Sequence, residues 1–126
     1  MIDHTGVTVS NFKVSKEFYQ KALAPLGYSM LMELTKEMTG GFEGAGFGVR
    51  PKSDFWIGVG TPQKPHVHVA FRAQTRKTVD EFHKHALAAG GRDNGAPGIR
   101  AHYHEKYYGA FVLDPDGHNI EVVCHE

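Results

Sequence analysis

The amino-acid sequence predicts an α+β fold built from two copies of a βαβββ module. The hydrophobic pattern of the first half indicates a strand, a helix and three further strands, and the second half repeats that order. When the chain is shifted by 64 residues, 11 of 62 aligned pairs are identical, against roughly four expected from composition. We therefore predict a single domain over residues 1–126, divided into modules at 1–62 and 63–126.

The first module begins with an alternating strand over residues 2–10. Ser10 or Asn11 is the expected N-cap of a helix that reaches about Leu26 and stops at Gly27. Three more strands complete the module, at residues 28–34, within 40–49 and at 55–59. The glycines of the third segment lack phosphate-loop spacing and no helix follows them, so a nucleotide site is rejected.

The second module repeats this order after the linker 61–65. A strand over 66–72 is followed by a helix over 75–89, which the glycine pair at 90–91 ends. The remaining segments are a short strand at 92–96, a polar loop at 97–106, a strand at 107–113 and, after the turn Asp114-Pro115-Asp116-Gly117, a closing strand that carries Glu121.

Composition indicates an ordinary soluble globular protein. Forty per cent of the 126 residues are hydrophobic and 22% are charged. The net charge is zero, which gives no electrostatic reason to expect nucleic acid or an anionic membrane as partner. A strand pattern that starts at Ile2 leaves no room for a signal peptide, and a single cysteine, Cys124, forms no internal disulfide. We expect a cytoplasmic location.

The strand patterns place three candidate metal ligands in one cleft. If each module buries one sheet face under its helix, the two modules form a curved mixed sheet around a central cleft, with the helices outside. His4, His68 and Glu121 then lie on the cleft side, and the two histidines are repeat mates that face each other. A buried carboxylate requires a positive partner. Two imidazoles and one carboxylate suit non-haem iron, zinc or another first-row ion at a catalytic site.

Position 57 sets the expected number of ligands. It is the repeat mate of Glu121 and holds Ile57, which does not ligate, so three protein ligands are expected instead of four. His66 is the rival of His68, since it lies two residues earlier on the same face. Because its repeat mate is Ile2, His66 is assigned to the rim of the site.

Further site candidates lie mainly in the loop before the last hairpin. Arg100 or Lys106 would hold an anionic group of a substrate, and His102 or Tyr103 would move a proton together with Glu121. The alternative is an ordinary solvated loop. Arg72 shares the face of His68 and is a candidate for lining the cleft, or for pairing with a neighbouring acid.

The whole chain resembles the vicinal oxygen chelate superfamily, which includes glyoxalase I, fosfomycin-resistance thiol transferases, bleomycin-resistance proteins and extradiol dioxygenases. The matching motifs are Ile2-Asp3-His4, Phe18-Tyr19, His68-Val69-Ala70-Phe71 and Asp114-Pro115-Asp116-Gly117-His118-Asn119-Ile120-Glu121. The resemblance implies paired βαβββ modules, a divalent metal (Zn, Fe, Ni, Mn or Co) on His4, His68 and Glu121, and a homodimer. Ile57 departs from the four-ligand glyoxalase I pattern, so the chain is more similar to the three-ligand members.

Two functions follow from this reading. The first is a metal-dependent lyase, isomerase, transferase or oxygenase that chelates two neighbouring substrate oxygens. The second is a metal-free protein that sequesters a small molecule, as bleomycin-resistance proteins do. Competent side chains at all three ligand positions favour the enzyme.

Overall fold

The computed structural model describes residues 1–126 and contains eight strands and three α-helices. The first module comprises β1 (Thr5–Val9), α1 (Phe12–Ala22), β2 (Ser29–Leu34), α2 (Lys36–Thr39), β3 (Gly44–Val49) and β4 (Lys52–Val59). The second module comprises β5 (His68–Arg72), α3 (Arg76–Ala88), β6 (Arg92–Ile99), β7 (Tyr108–Leu113) and β8 (Asn119–Cys124). None of the three helices has the length and apolar character that crossing a membrane requires.

The strands form two four-stranded mixed sheets of matching topology. Their orders are β1-β4-β3-β2 and β5-β8-β7-β6. The pairs β1–β4 and β5–β8 are parallel, and the other neighbouring pairs are antiparallel. The predicted two-module α+β fold is confirmed. The strands are divided between two sheets, however, so one copy does not form a continuous curved sheet.

Three local predictions were wrong, each for a reason that the sequence contains. Helix α1 ends at Ala22, because the chain enters a 3-10 turn that contains Pro25 and closes at Gly27 with φ 83°. The short α2 was not predicted, although Thr35 caps it by accepting a bond from the Met38 N–H. Strand β6 continues through Pro97 to residue 99, which an edge strand tolerates.

One apolar core joins the two modules on their helix sides. Its 21 buried residues include Val7 and Val9 of β1 and Ile120 and Val122 of β8, as the alternation predicts. The rings of Phe55 and Phe71, one from each module, lie 5.2 Å apart between centroids. Because the helix-covered faces of both sheets meet in this core, each sheet has a second face without a helix, called here its open face.

The repeat slips by one residue between the modules. In the second sheet Ala70 pairs with Glu121, but Gly6, the repeat mate of Ala70, pairs with Trp56 and not with Ile57. A slip of one residue exchanges the two faces of a strand. Ile57 is accordingly 2% exposed and lies in the core. The expectation that Ile57 occupies the place equivalent to Glu121 is therefore wrong, and the residue at that place is Trp56.

The turn before β8 connects the second module to β1. The imidazole of His118 is fully buried, accepts the Val67 N–H at Nδ1 (3.0 Å) and donates from Nε2 to the Thr8 carbonyl (2.9 Å). These partners require the neutral ring with its proton on Nε2. The Asp116 carboxylate accepts two further bonds from Ser10, one from its backbone N–H and one from its hydroxyl. The turn motif thus holds the modules together.

Candidate functional site

Glu121 is a buried carboxylate on the open face of the second sheet. It stands opposite Ala70 on β5 and Phe111 on β7, and its side chain is 2% exposed. Oε1 lies 2.9 Å from Nε2 of His68, which is the only basic group within ion-pair distance. The structure therefore brings two of the three predicted ligands together, and one imidazole nitrogen and one carboxylate oxygen suit a first-row transition metal.

Tyr107 holds the other oxygen of Glu121. Its hydroxyl donates to Oε2, and burial, then the hydrogen bond and charge of Glu121, raise the pKa of the phenol above its ordinary 10.0. The hydroxyl thus stays protonated and remains a donor. Gly109 lies beside this contact: a Cβ there would be 3.2 Å from the Tyr107 ring, a tight approach, and 3.4 Å from Oε2, an ordinary contact distance. Because Tyr107 bonds Oε2, the other carboxylate oxygen, Oε1, is the one that faces His68.

Tyr107 was not among the sequence-based candidates. Tyr103 and His102 in the same loop were preferred, since nothing distinguished Tyr107 from the rest of a polar segment. A usable signal was its spacing from Phe111, which faces Glu121. Residues four apart in an extended chain share a face but lie about 13 Å apart along it, so the spacing indicates only the face of Tyr107. The contact with Glu121 comes from the long side chain, which passes Gly109.

We expect Tyr107→Phe to weaken divalent metal binding about 10-fold to 100-fold, the usual cost of removing a hydrogen bond to a metal ligand. The carboxylate would lose the partner that fixes Oε2 and gain rotational freedom. Competition with a chromogenic chelator measures the affinity. Tyr103→Phe is the matched control, because its ring contacts Tyr107 at 5.0 Å and it has no bond to Glu121. Equal affinities for Tyr107→Phe and the native protein would contradict this role.

His4, the third predicted ligand, lies elsewhere in the single copy. Its Nδ1 is 2.7 Å from Asp3, and its side chain is 60% exposed. Bonds from His4 and Lys52 lower the pKa of the Asp3 carboxyl. No three His, Cys, Asp or Glu side chains of the chain lie close enough to hold a metal ion. The expectation that His4 faces His68 within one chain is therefore corrected: the His4 imidazole is bonded to Asp3 and does not join His68 and Glu121, although Asp3 and Thr5 line the same cavity as His68.

The candidate loop residues differ in their burial and in their contacts. Arg100 is half-buried, stacks its guanidinium 5.5 Å from the centre of the Phe111 ring and donates to the Ala96 carbonyl. His102 and Tyr103 are exposed, with rings 4.1 Å apart. Lys106 is exposed. None of these four candidates forms a hydrogen bond with Glu121, and Arg100 is the one that stacks on the open face beside it.

The two remaining candidates flank β5. His66 packs its ring against the turn at Gly117, 5.5 Å from His118, on the side of the module junction. Arg72 and His68 line a cavity of about 400 Å³ between the two modules, together with Ile2, Asp3 and Thr5 of the first module. The outer edge of β5 has no partner strand in this chain. The residues on either side of His4 in the chain line the same cavity as His68, although His4 itself does not.

Comparison with known proteins identifies the family of this chain. The family described as the Glyoxalase/Bleomycin resistance protein/Dioxygenase superfamily matches residues 1–122. A glyoxalase/bleomycin resistance protein from Albidiferax ferrireducens is 27% identical, with a TM-score of 0.75 and 96% of each chain covered. No curated protein matches significantly.

Two further solved structures share the fold. A glyoxalase/bleomycin resistance protein/dioxygenase family enzyme from Burkholderia phytofirmans is 18% identical, with a TM-score of 0.70 over 99% of this chain and 98% of that one. A glyoxalase I mutant from Zea mays is 16% identical, with a TM-score of 0.72 over 99% of this chain and 44% of that protein. With the family match over nearly the whole chain, these findings show that the protein belongs to the glyoxalase/bleomycin resistance/dioxygenase superfamily.

Proposed function

We propose that this protein is a metal-dependent enzyme that binds a small substrate through two adjacent oxygen atoms on a divalent ion. The observation that carries the proposal is the environment of Glu121. Its buried carboxylate has no lysine or arginine partner, and its Oε1 faces the imidazole nitrogen of His68. A buried anion in such a position is stabilised when a cation binds between the two groups.

We further propose that a second copy of the chain supplies His4. The segment that carries His4 is exposed, with Ile2 at 84%, and β5 has a free edge next to His68. Two copies related by a twofold axis would each lend His4 to the His68–Glu121 pair of the other. The homodimer would then contain two equivalent sites of two imidazoles and one carboxylate each.

The protein groups around the pair have separate tasks in the proposed reaction. A bound divalent ion supplies Lewis-acid stabilisation of a negatively charged substrate oxygen. Tyr107 keeps Glu121 Oε2 occupied. Arg100, which forms no ion pair in this chain, binds an anionic group of the substrate. His102 and Tyr103 at the exposed end of the loop are candidates for moving a proton. These tasks fit lyase, isomerase, transferase or oxygenase chemistry.

Elemental analysis of protein purified without chelator and without a histidine tag tests the proposal. We expect about one first-row divalent ion per chain. The ion should be removed by dialysis against a chelator and restored by one of Zn, Fe, Ni, Mn or Co. A protein that binds no such ion at micromolar concentration would overturn the enzyme proposal and leave metal-free sequestration of a small molecule.

A further inference from the structure

His125 stands opposite Tyr107 at the end of the second sheet. Tyr108 and Cys124 are the outermost pair of the β7–β8 ladder. The next residues outward, Tyr107 and His125, therefore face each other. Cys124 is buried in the core, so alternation turns the side chain of His125 to the open face, where Glu121 lies. The rings of Tyr107 and His125 meet edge to face, with centroids 5.3 Å apart and planes at 87°.

The Tyr107 ring leans along the sheet towards Glu121. Its hydroxyl bonds the Glu121 carboxylate, although Glu121 lies four residues before His125 in the chain. To reach it the ring passes Gly109, where an added Cβ would lie 3.2 Å from the ring. Side chains on a strand usually stand roughly perpendicular to the sheet. The leaning position of the ring therefore depends on the contacts that surround it.

Backbone hydrogen bonds fix the main chain of Tyr107 but leave its ring free to rotate. The Tyr107 N–H donates to the His104 carbonyl (3.0 Å), and the Tyr107 carbonyl accepts the Arg100 N–H (2.7 Å). Neither bond restricts rotation about Cα–Cβ. The aromatic neighbours of the ring are Tyr103, with centroids 5.0 Å apart, and His125. Tyr103 is 61% exposed and belongs to the same loop, so His125 is the neighbour that ties the ring to the sheet.

Two contacts hold the His125 segment in place. Arg76, the first residue of α3, donates from Nε to the Glu126 carbonyl at 3.0 Å. The ring of His104 lies 6.1 Å from that of His125, with the planes at 75°. Because His125 is exposed and lies outside the strand ladder, these contacts restrict a side chain that would otherwise sample several rotamers.

We propose that His125 is a positioning residue for the carboxylate site. Its imidazole keeps the Tyr107 ring leaning towards Glu121, so that the phenol bonds Oε2 and Oε1 stays directed at His68. His125 forms no hydrogen bond with Glu121 and acts through Tyr107. The position of the ring is a property of the metal-free chain, whereas its effect on metal affinity rests on the proposed function.

Nuclear magnetic resonance of the metal-free protein tests the position of the ring. Tyrosine labelled with ¹³C at Cζ gives one signal for each of the five tyrosines, and its chemical shift reports the hydrogen bond of the hydroxyl. The signal of Tyr107 is the one that Tyr107→Phe removes. We expect His125→Ala to move this signal towards its position in the urea-unfolded protein, because the ring loses its support. His125→Phe retains a ring and should leave the signal in place.

Metal affinity tests the consequence for the site. We expect His125→Ala to weaken divalent metal binding about 3-fold to 10-fold, and His125→Phe to restore it. In the Tyr107→Phe background, His125→Ala should change the affinity by less than about 2-fold, because the residue through which it acts is absent. His85→Ala is the matched control, since His85 is an exposed histidine on α3 that pairs with Glu81, and it should change neither the signal nor the affinity.

The outcomes separate the positioning role from the proposed function. A Tyr107 signal that stays in place in His125→Ala would overturn the positioning role, even if the native protein binds metal. Equal losses of metal affinity on His125→Ala with and without Tyr107 would overturn it as well, since they would show an effect on the fold in general. If the signal moves and the native protein binds no metal, the positioning role stands and the enzyme proposal fails alone.

Discussion

Glu121→Gln should abolish divalent metal binding and leave the fold intact. Glutamine has the same size, its oxygen accepts the Tyr107 hydroxyl, and its amide donates to His68, so the hydrogen bonds shown by the structure persist. The loss of the charged ligand should lower metal affinity by roughly 100-fold or more. At a metal concentration that raises the free energy of unfolding of the native protein by about 2.7 kcal/mol, the free energy of unfolding of the variant should hardly change.

Stability without metal distinguishes a functional carboxylate from a structural one. Removal of a buried charge should leave the metal-free variant at least as stable as the native protein. Asp93→Asn is the matched control, since Asp93 forms a similar pair with His83 at 3.0 Å but is 57% exposed. Thermal unfolding with and without metal measures both the stability of the metal-free protein and the stabilisation by metal. A metal-induced rise in melting temperature that survives Glu121→Gln would contradict the assignment.

Asp114→Ala should lower the free energy of unfolding by roughly 3–5 kcal/mol. The Asp114 carboxylate is 2% exposed and accepts three bonds, from the Tyr19 hydroxyl (2.5 Å) and from the N–H groups of Asp116 and His118. Alanine leaves all three donors without a partner inside the core. Burial and the neighbouring carboxylate raise the pKa of Tyr19, so its hydroxyl is a donor at all ordinary pH values.

Urea unfolding followed by circular dichroism measures this loss. Tyr19→Phe is the informative comparison, because it removes one donor and leaves Asp114 with its two backbone partners, at a cost of about 1–2 kcal/mol. A cost below about 1 kcal/mol for Asp114→Ala would show that the turn does not hold the modules together.

The fold could be predicted because the sequence contains two clear signals, the periodicity of each element and the internal repeat. Strand alternation and helix stripes identify elements one at a time, and a repeat of 64 residues joins them into modules. Strands β3 and β7 coincide residue for residue under that shift. The face of a strand is a different matter. The pairing of β4 with β1 differs by one residue from the pairing of β8 with β5, although the identical residues of the repeat still align. Trp56, and not Ile57, therefore lies in the position equivalent to Glu121, and only the pairing register shows this.

The part of the site that lies within one sheet could be predicted from the sequence, and the part that depends on the placement of two sheets could not. His68 and Glu121 lie on adjacent strands of one module, so alternation alone brought them together. His4 depends on how the modules are placed, which side-chain periodicity does not encode. The turn at 114–118 showed the converse. Its residues look like a marker of function, but Asp114 and His118 are occupied with hydrogen bonds that join the modules.

Subunit complementation tests most directly whether two copies share each metal site. His4→Ala and Glu121→Ala proteins, carrying different non-histidine tags, are refolded together and the doubly tagged dimer is isolated. Each variant alone should bind no metal. In the mixed dimer one site combines His4 of one subunit with His68 and Glu121 of the other, all intact, while both defects fall in the second site. We predict one tightly bound ion per mixed dimer, and a mixed dimer with no ion would contradict the account.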